Sequence, residues 1–373
     1  MLALSIASFW SQCAQGETLS VGTNGQELAD AILEAPSGST ITLLSGRYFL
    51  DNVTSVIESK ELTIVGQGRD STFLDCSHAA MVALRVSYAS ITFQDFSIEN
   101  CYGGIGIFHS DIDISNVRFM GLGDLLNDLD VYYFFNETSN LTNPFPDGIY
   151  EIPGSIYITN SRGSLSNVLF AGNAVNGTRS QSAGIFIRTS EISITNMIAH
   201  SNEGVTGTLL AAVQYSFVEV LDSKFYNNTG SNGLLSMISS ELTINNTDFY
   251  ENVMDYGTVH AYEESTVVLK DCNFTKNSAV SGGAVRLNGS KNSQVLNTLF
   301  DGNEATGSHG GALYVDGYEF DSLLVRDSTF DSNTANVTGG AIYIAGNIDA
   351  FFYNNTFLDN SVNSDSDGTA ADF

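Results

Sequence analysis

A phenylalanine returns about every 25 residues along this chain, usually with an asparagine three positions later. Segments of this form begin at Phe49, Phe73, Phe96, Phe119, Phe170, Ala199, Phe225, Phe249, Phe274, Phe300, Phe330 and Phe357; eleven of the twelve carry the Phe and nine carry the Asn. Such a period is too short for a domain and too regular for a loop, so it points to a solenoid of stacked units.

The unit is built from strands. Five residues before most of these positions stands another apolar residue, as at Ile91, Ile114, Leu165, Ile194, Val220, Ile244, Leu269 and Val325, with alternation between them. A second strand in each repeat opens on small residues, as in Gly103-Gly104-Ile105, Gly282-Gly283-Ala284, Gly310-Gly311-Ala312 and Gly339-Gly340-Ala341. From the first inward residue of that strand to the next Phe the count is 14 to 17, which leaves no room for a crossover helix. Stacked coils of this kind form a parallel β-helix in which each strand pairs with its equivalent one turn along, about 4.8 Å away. Phe then stacks on Phe in the core, and the asparagines form an amide ladder in which each side chain donates to and accepts from the next. On this frame Asn52 is a ladder residue pointing inward.

The glycine motif in step with FxxN resembles the repeat of chlamydial polymorphic outer-membrane proteins and of related right-handed β-helix proteins in bacteria and protists, within the pectin-lyase-like superfamily. The resemblance covers roughly residues 40 to 360 and implies a right-handed, single-stranded parallel β-helix of about 12 coils. For activity it is permissive, because the fold carries adhesins, lyases, hydrolases and inert surface proteins. Hydrolases of the superfamily use clustered aspartates with a His and an Arg-x-Lys motif; here Asn246-Thr247-Asp248 stands without those partners. Asp111 and Asp113 alternate with Ile112 and Ile114, so they face outward together near His109, as a pair of surface carboxylates or as the acids of an enzyme. No Ser-His-Asp, zinc, phosphate-loop or calcium-loop pattern occurs, so no cofactor or metal is expected.

Charge restricts the partners. The net charge is −28 with only 14 Lys and Arg, which disfavours nucleic acid and anionic membrane surfaces. Most of the carboxylates read as a solvated coat. Residues 1–16 have the apolar run and small terminal residues of a secretory signal peptide, and no later segment has transmembrane length. A secreted or cell-surface location follows as the expectation, and ten N-x-Ser/Thr sequons fit a glycoprotein.

Residues 17–40 read as an N-terminal cap whose helix, 24–35, starts at Thr23 or Asn24 and stops at Pro36, with Leu28, Ala31 and Ile32 on one face. Residues 41–360 are the β-helix, and 361–373 a polar, flexible tail that leaves the last coil open to a partner or to further repeats. One interruption stands out. The segment 123–153, with Tyr132, Tyr133, Phe134 and Phe135, is an inserted aromatic loop or a degenerate extra coil, since Phe119 and Phe170 are 51 residues apart, about two periods.

Candidate binding residues come from register. In the glycine-led strands the residue between two inward positions faces out: Tyr157, Phe186, Leu210, Ser236, His260, Arg286, Tyr314 and Tyr343. Stacked coils line these up as a row that either binds sugar rings or a surface protein, or is a strand-strengthening ladder. Cys76 and Cys101 are about one coil apart and are candidates for a disulfide in an oxidising compartment. Cys272 has no obvious partner. The reading that follows is an adhesive or binding scaffold, with a carbohydrate-active enzyme as the alternative.

Overall fold

The computed structural model describes residues 16–50, 55–77, 82–101, 103–122, 155–174, 182–204 and 207–363. The signal-peptide expectation, all but residue 16, therefore lies outside the described residues, as do Asn52, the 123–153 segment with Tyr132, Tyr133, Phe134 and Phe135, and the tail from 364 onward.

Every strand pairing is parallel and joins one coil to the next, as the tight spacing requires. A complete coil contributes two strands to a 22-stranded sheet, one to a 12-stranded sheet and, from Glu203 onward, one short strand to a 7-stranded sheet. In one coil these are Val285–Asn288, Ser293–Leu296, Leu299–Asp301 and Glu304–Ala305. In the last two coils the pair in the long sheet merges into single strands, Leu313–Arg326 and Ile342–Tyr353. Pairing continues to Ser361–Val362 against Thr334–Ala335, so the solenoid reaches slightly into the stretch read as tail.

The single helix among the described residues, Gly25–Glu34, is capped by Asn24, whose side chain accepts from the Gln26 N–H at 2.9 Å. Leu28 and Ile32 are fully buried against the first coil. The strand Thr18–Val21 pairs with Ser39–Leu43 beside it, so the cap is a strand and a helix together.

The core of the 12-stranded sheet is a column of one residue per coil: Tyr48, Leu74, Ile98, Phe119, Phe170, Ala199, Phe225, Phe249, Phe274, Phe300, Phe330 and Phe357. From Phe225 onward successive ring centroids are 4.5 to 5.2 Å apart, and each buried ring contributes roughly 2 kcal/mol of transfer free energy. The register of the first three coils differs from the sequence expectation. Phe49 is half exposed, Phe73 lies outside the core under the Arg47 and Arg118 guanidiniums, and Phe96 is buried two residues before its strand's inward position. Tyr48, Leu74 and Ile98 fill the column instead: alternation along a strand admits only one parity to the core, which excludes Phe49 and Phe73, and Phe96 falls before the strand Ser97–Glu99.

Beside the Phe column runs the amide ladder, Asn173, Asn202, Asn228, Asn252, Asn277, Asn303, Asn333 and Asn360. Each Nδ2 in the interior of this series donates to the next coil's Oδ1 at 2.9–3.0 Å and to the carbonyl of the preceding coil's column residue, as Asn277 does to Asn303 and to Phe249. Each Oδ1 also accepts the backbone N–H of the preceding ladder residue. The buried amides are thereby saturated. Cys272 belongs to a second ladder of the same kind: it occupies the place taken by Thr247 and Thr298 in neighbouring coils, with Sγ 3.2 Å from the Lys270 carbonyl, and burial pushes its thiol up to about 11.

Cys76 and Cys101 are joined in a disulfide, with their Cα atoms 4.9 Å apart. Around it Arg47 pairs with Asp75 and Glu99, and Arg118 with Glu99 and Asp70.

Two outcomes test this arrangement. Phe274→Ala is expected to cost about 3–5 kcal/mol in urea unfolding, whereas Phe73→Ala, which removes only cation–π contacts and partial burial, costs about 1–2 kcal/mol. Replacing Cys76 and Cys101 by Ser opens a 25-residue link and is expected to lower stability by about 3 kcal/mol, read as a fall in the urea midpoint that matches chemical reduction of the parent.

Candidate functional site

The outward row of the long sheet runs Gly106, Tyr157, Phe186, Ala211, Ser236, His260, Arg286, Tyr314 and Tyr343. Leu210, read as outward from the sequence, is instead an inward residue paired with Ile185 and Leu235. The preceding Leu209 is buried as well, and without a glycine lead the parity of that strand is not readable.

The row divides into two parts. Tyr157 and Phe186 are only 5% exposed and form, with Phe108 and Ala211, a small apolar cluster outside the main core. They therefore offer no open aromatic platform. Further along, the side chains interleave. His309 stacks on Tyr343 at 4.3 Å and Tyr343 on Tyr314 at 5.3 Å, the Arg286 guanidinium lies between Tyr314 and Tyr256, and Tyr256 contacts His260. His260 is 7% exposed. Burial, with a smaller contribution from the Arg286 charge, pushes its imidazole down to about 4.

Next to this row, where the two strands of each coil meet at a corner, lies an open groove of about 810 Å³ crossing five coils. Each corner follows one plan. A residue with positive φ (Tyr88, His109, Asn160, Thr189) makes the bend, a small buried residue follows (Ala89, Ser110, Ser161, Ser190), and the next side chain points out (Ser90, Asp111, Arg162, Glu191). The serine hydroxyls form the inner wall as a ladder: the Ser110 N–H donates to Ser161 Oγ and the Ser161 N–H to Ser190 Oγ, both at 3.0 Å. That ladder fixes the corners in line.

The groove has aromatic ends and a charged middle. At one end Tyr88 stacks on His109 with centroids 4.9 Å apart; at the other stand Tyr215, 78% exposed, and Phe217, 50% exposed. Between them Arg162 Nε donates to Asp111 Oδ1 at 2.7 Å, with Glu191 on the next rung. Asp111 and Asp113 face outward together as the alternation predicts, but each has a partner of its own, Arg162 and the Ser164 hydroxyl. Among the described residues no three His, Cys, Asp or Glu side chains converge as a metal set. Sequence reasoning missed Tyr88, Arg162, Tyr215 and Phe217, since only the stacking of five coils brings them together. The available signal was the recurring bend residue before a serine.

With this geometry in hand, the relatives can be placed. Residues 148–300 match the family described as right handed beta helix region, and residues 327–345 match the Chlamydia polymorphic membrane protein repeat. No curated protein matches the chain in sequence. Among solved structures it is similar to the A-module of a mannuronan C-5 epimerase from Azotobacter vinelandii, at 14% identity over 91% of this chain and 93% of that one, with a TM-score of 0.50. It is also similar to a family 28 exopolygalacturonase from Yersinia enterocolitica, at 8% identity over 96% and 80%, TM-score 0.47. The chain is a right-handed parallel β-helix protein with the pectin-lyase-like fold, and it carries a repeat of the polymorphic-membrane-protein type.

The buried imidazole gives a pH test. Because His260 binds its proton more weakly in the folded state, its stabilising contribution is complete above the ordinary value of 6.5 and is lost as pH falls toward about 4. Between pH 7 and 4.5 the parent is expected to lose roughly 2–3 kcal/mol more stability than His260→Gln, measured as the difference between their urea-unfolding free energies at the two pH values.

Proposed function

We propose that this protein is a secreted or cell-surface β-helix scaffold that binds glycan along the corner groove. The observation that carries the reading is the groove's composition: exposed aromatic rings at both ends, which suit the apolar faces of sugar rings, and hydroxyl, amide and charged groups between them for sugar hydroxyls. A rigid row of coils presents these groups at a fixed repeat of about 4.8 Å, so little order is lost when an extended chain settles on them.

The polymorphic-membrane-protein repeat supports a surface location. No helix among the described residues is long and apolar enough to cross a membrane. Nucleic acid is a poor partner for a chain of charge −28. The competing reading is a carbohydrate-active enzyme, and it draws on the Asp111–Arg162 pair beside His109 in the same groove.

A glycan array followed by calorimetry on the retained sugars tests the proposal. The double variant Tyr215→Ala, Phe217→Ala is expected to keep the parent's melting behaviour and to bind the selected oligosaccharide at least about tenfold more weakly, a loss of roughly 1.4 kcal/mol. Unchanged affinity would remove the groove from consideration. Appearance of shortened or unsaturated oligosaccharides during incubation, abolished by Asp111→Asn or Arg162→Gln, would establish the enzyme instead, and retention of a protein partner with no glycan would establish a protein-binding scaffold.

A further inference from the structure

The outward row continues past the groove. Three rungs beyond Ala211 it reaches Arg286, roughly 14 Å along the axis at the usual strand spacing. In a chain with 42 acidic residues an arginine has many carboxylates to choose from; Arg47, Arg118, Arg162 and Arg326 each pair with at least one, whereas Arg69 bonds a backbone carbonyl and Arg85 lies over the Phe108 ring. Arg286 pairs with no carboxylate among the described residues. Its Nε donates to Asn288 Oδ1 at 3.3 Å and its Nη1 to the Ser281 hydroxyl, both neutral, while Asp316 acts on it only from beyond ion-pair distance.

The guanidinium is also held in place. Tyr256 and Tyr314 enclose it, with ring centroids 4.6 and 4.7 Å from Cζ. It is half-buried, and desolvation lowers its proton affinity against the usual direction for an arginine in an acidic protein. A clamped guanidinium has lost its rotamer freedom before any ligand arrives, and its remaining N–H donors lie in one plane suited to an oxyanion. On the two preceding rungs Ser236 Oγ and His260 Nδ1 are buried without a hydrogen-bond partner among the described residues. The other imidazole nitrogen bonds the Asn232 backbone, which leaves Nδ1 as a neutral acceptor. Unused polar capacity therefore adjoins the unpaired cation. The net negative charge does not forbid an anion here, because at physiological salt charges beyond about 8 Å are largely screened.

We propose that Arg286 receives an anionic substituent, a carboxylate or a sulfate, of an acidic glycan whose chain continues into the corner groove. This deepens the glycan-binding reading and rests on it.

The test compares a glucuronate oligosaccharide, a sulfated galactan fragment and a neutral cello-oligosaccharide by calorimetry on the parent, Arg286→Gln, Arg286→Lys and the Tyr215→Ala, Phe217→Ala double variant. The expected result is at least a tenfold preference of the parent for one acidic ligand over the neutral one; which acid is preferred identifies the group. Arg286→Gln abolishes that preference while leaving the neutral ligand's affinity unchanged, Arg286→Lys restores part of it, and the groove variant weakens all ligands alike. A parent that binds acidic and neutral ligands equally, or a preference that survives in Arg286→Gln, overturns the proposal. A second measurement separates it from the glycan reading: NMR titration of the parent with free glucuronate and with inorganic sulfate, following the Arg286 Nε–H signal identified by its loss in Arg286→Gln. Saturable perturbation supports the anion site even if no oligosaccharide binds, and absence of any perturbation by either anion overturns it.

Discussion

The buried asparagine ladder is the interaction on which the rest of the molecule depends. In a parallel solenoid every side chain faces its equivalent in the next coil about 4.8 Å away, so a polar group inside the core must be satisfied by a copy of itself. Asparagine meets that condition because one amide both donates and accepts. From Asn173 to Asn360 the chain of amides also closes the backbone at its corner, through the N–H of each ladder residue and the carbonyl of the preceding coil's column residue. The Phe column buries large rings, but it is indifferent to sliding. The ladder is not, since a one-residue slip breaks every amide bond at once. Register from Asn173 onward follows from that restriction, and the serine ladder of Ser110, Ser161 and Ser190 carries the alignment across the corners of the groove.

The same stacking rule turns a net charge of −28 into a problem, because like charges on adjacent rungs repel. One solution appears in the row of left-handed corner residues Asp222, Asn246, Asp271, Asn297, Asp327 and Asn354, with φ between 47° and 55°. Aspartate and asparagine alternate there, and each Asn donates its amide to the carboxylate one coil before, as Asn246 does to Asp222 and Asn354 to Asp327. No two carboxylates are neighbours in that stretch. Near the first coils the solution is different: buried Asp75 and Glu99 are neutralised by Arg47 and Arg118 beside the disulfide. Arg286, enclosed by Tyr256 and Tyr314, stands outside this charge pairing.

The architecture was legible in the sequence wherever local pattern and coil length agreed. From Phe225 to Phe357 the Phe, the Asn and the glycine-led strand all gave one register, and the coordinates reproduce it. The helix and its Asn24 cap were equally plain, being fixed by residues a turn apart. At Phe49 and Phe73 the motif occurred at the wrong parity and at Phe96 two residues early, and only the pairing of Tyr48 with Leu74 and of Leu74 with Ile98 reveals it. The cover over the outward row is hidden for a related reason. Alternation tells which side of a strand a residue leaves from, but not what covers that side, so the burial of the outward Tyr157 and Phe186 is not readable from the sequence. The groove needed still more: it joins residues from Tyr88 to Phe217, and no window of sequence holds them together.

In the function proposed above, a fixed register of coils presents one outer corner as a glycan-binding groove. The most direct measurement is a crystal structure of the protein with the oligosaccharide that it retains on an array. Sugar rings are expected to pack on Tyr88 with His109 and on Tyr215 with Phe217, with hydroxyls within hydrogen-bond distance of the Asp111, Arg162 and Glu191 side chains. Sugar bound with full occupancy on another face, with the corner groove filled only by solvent, would contradict it.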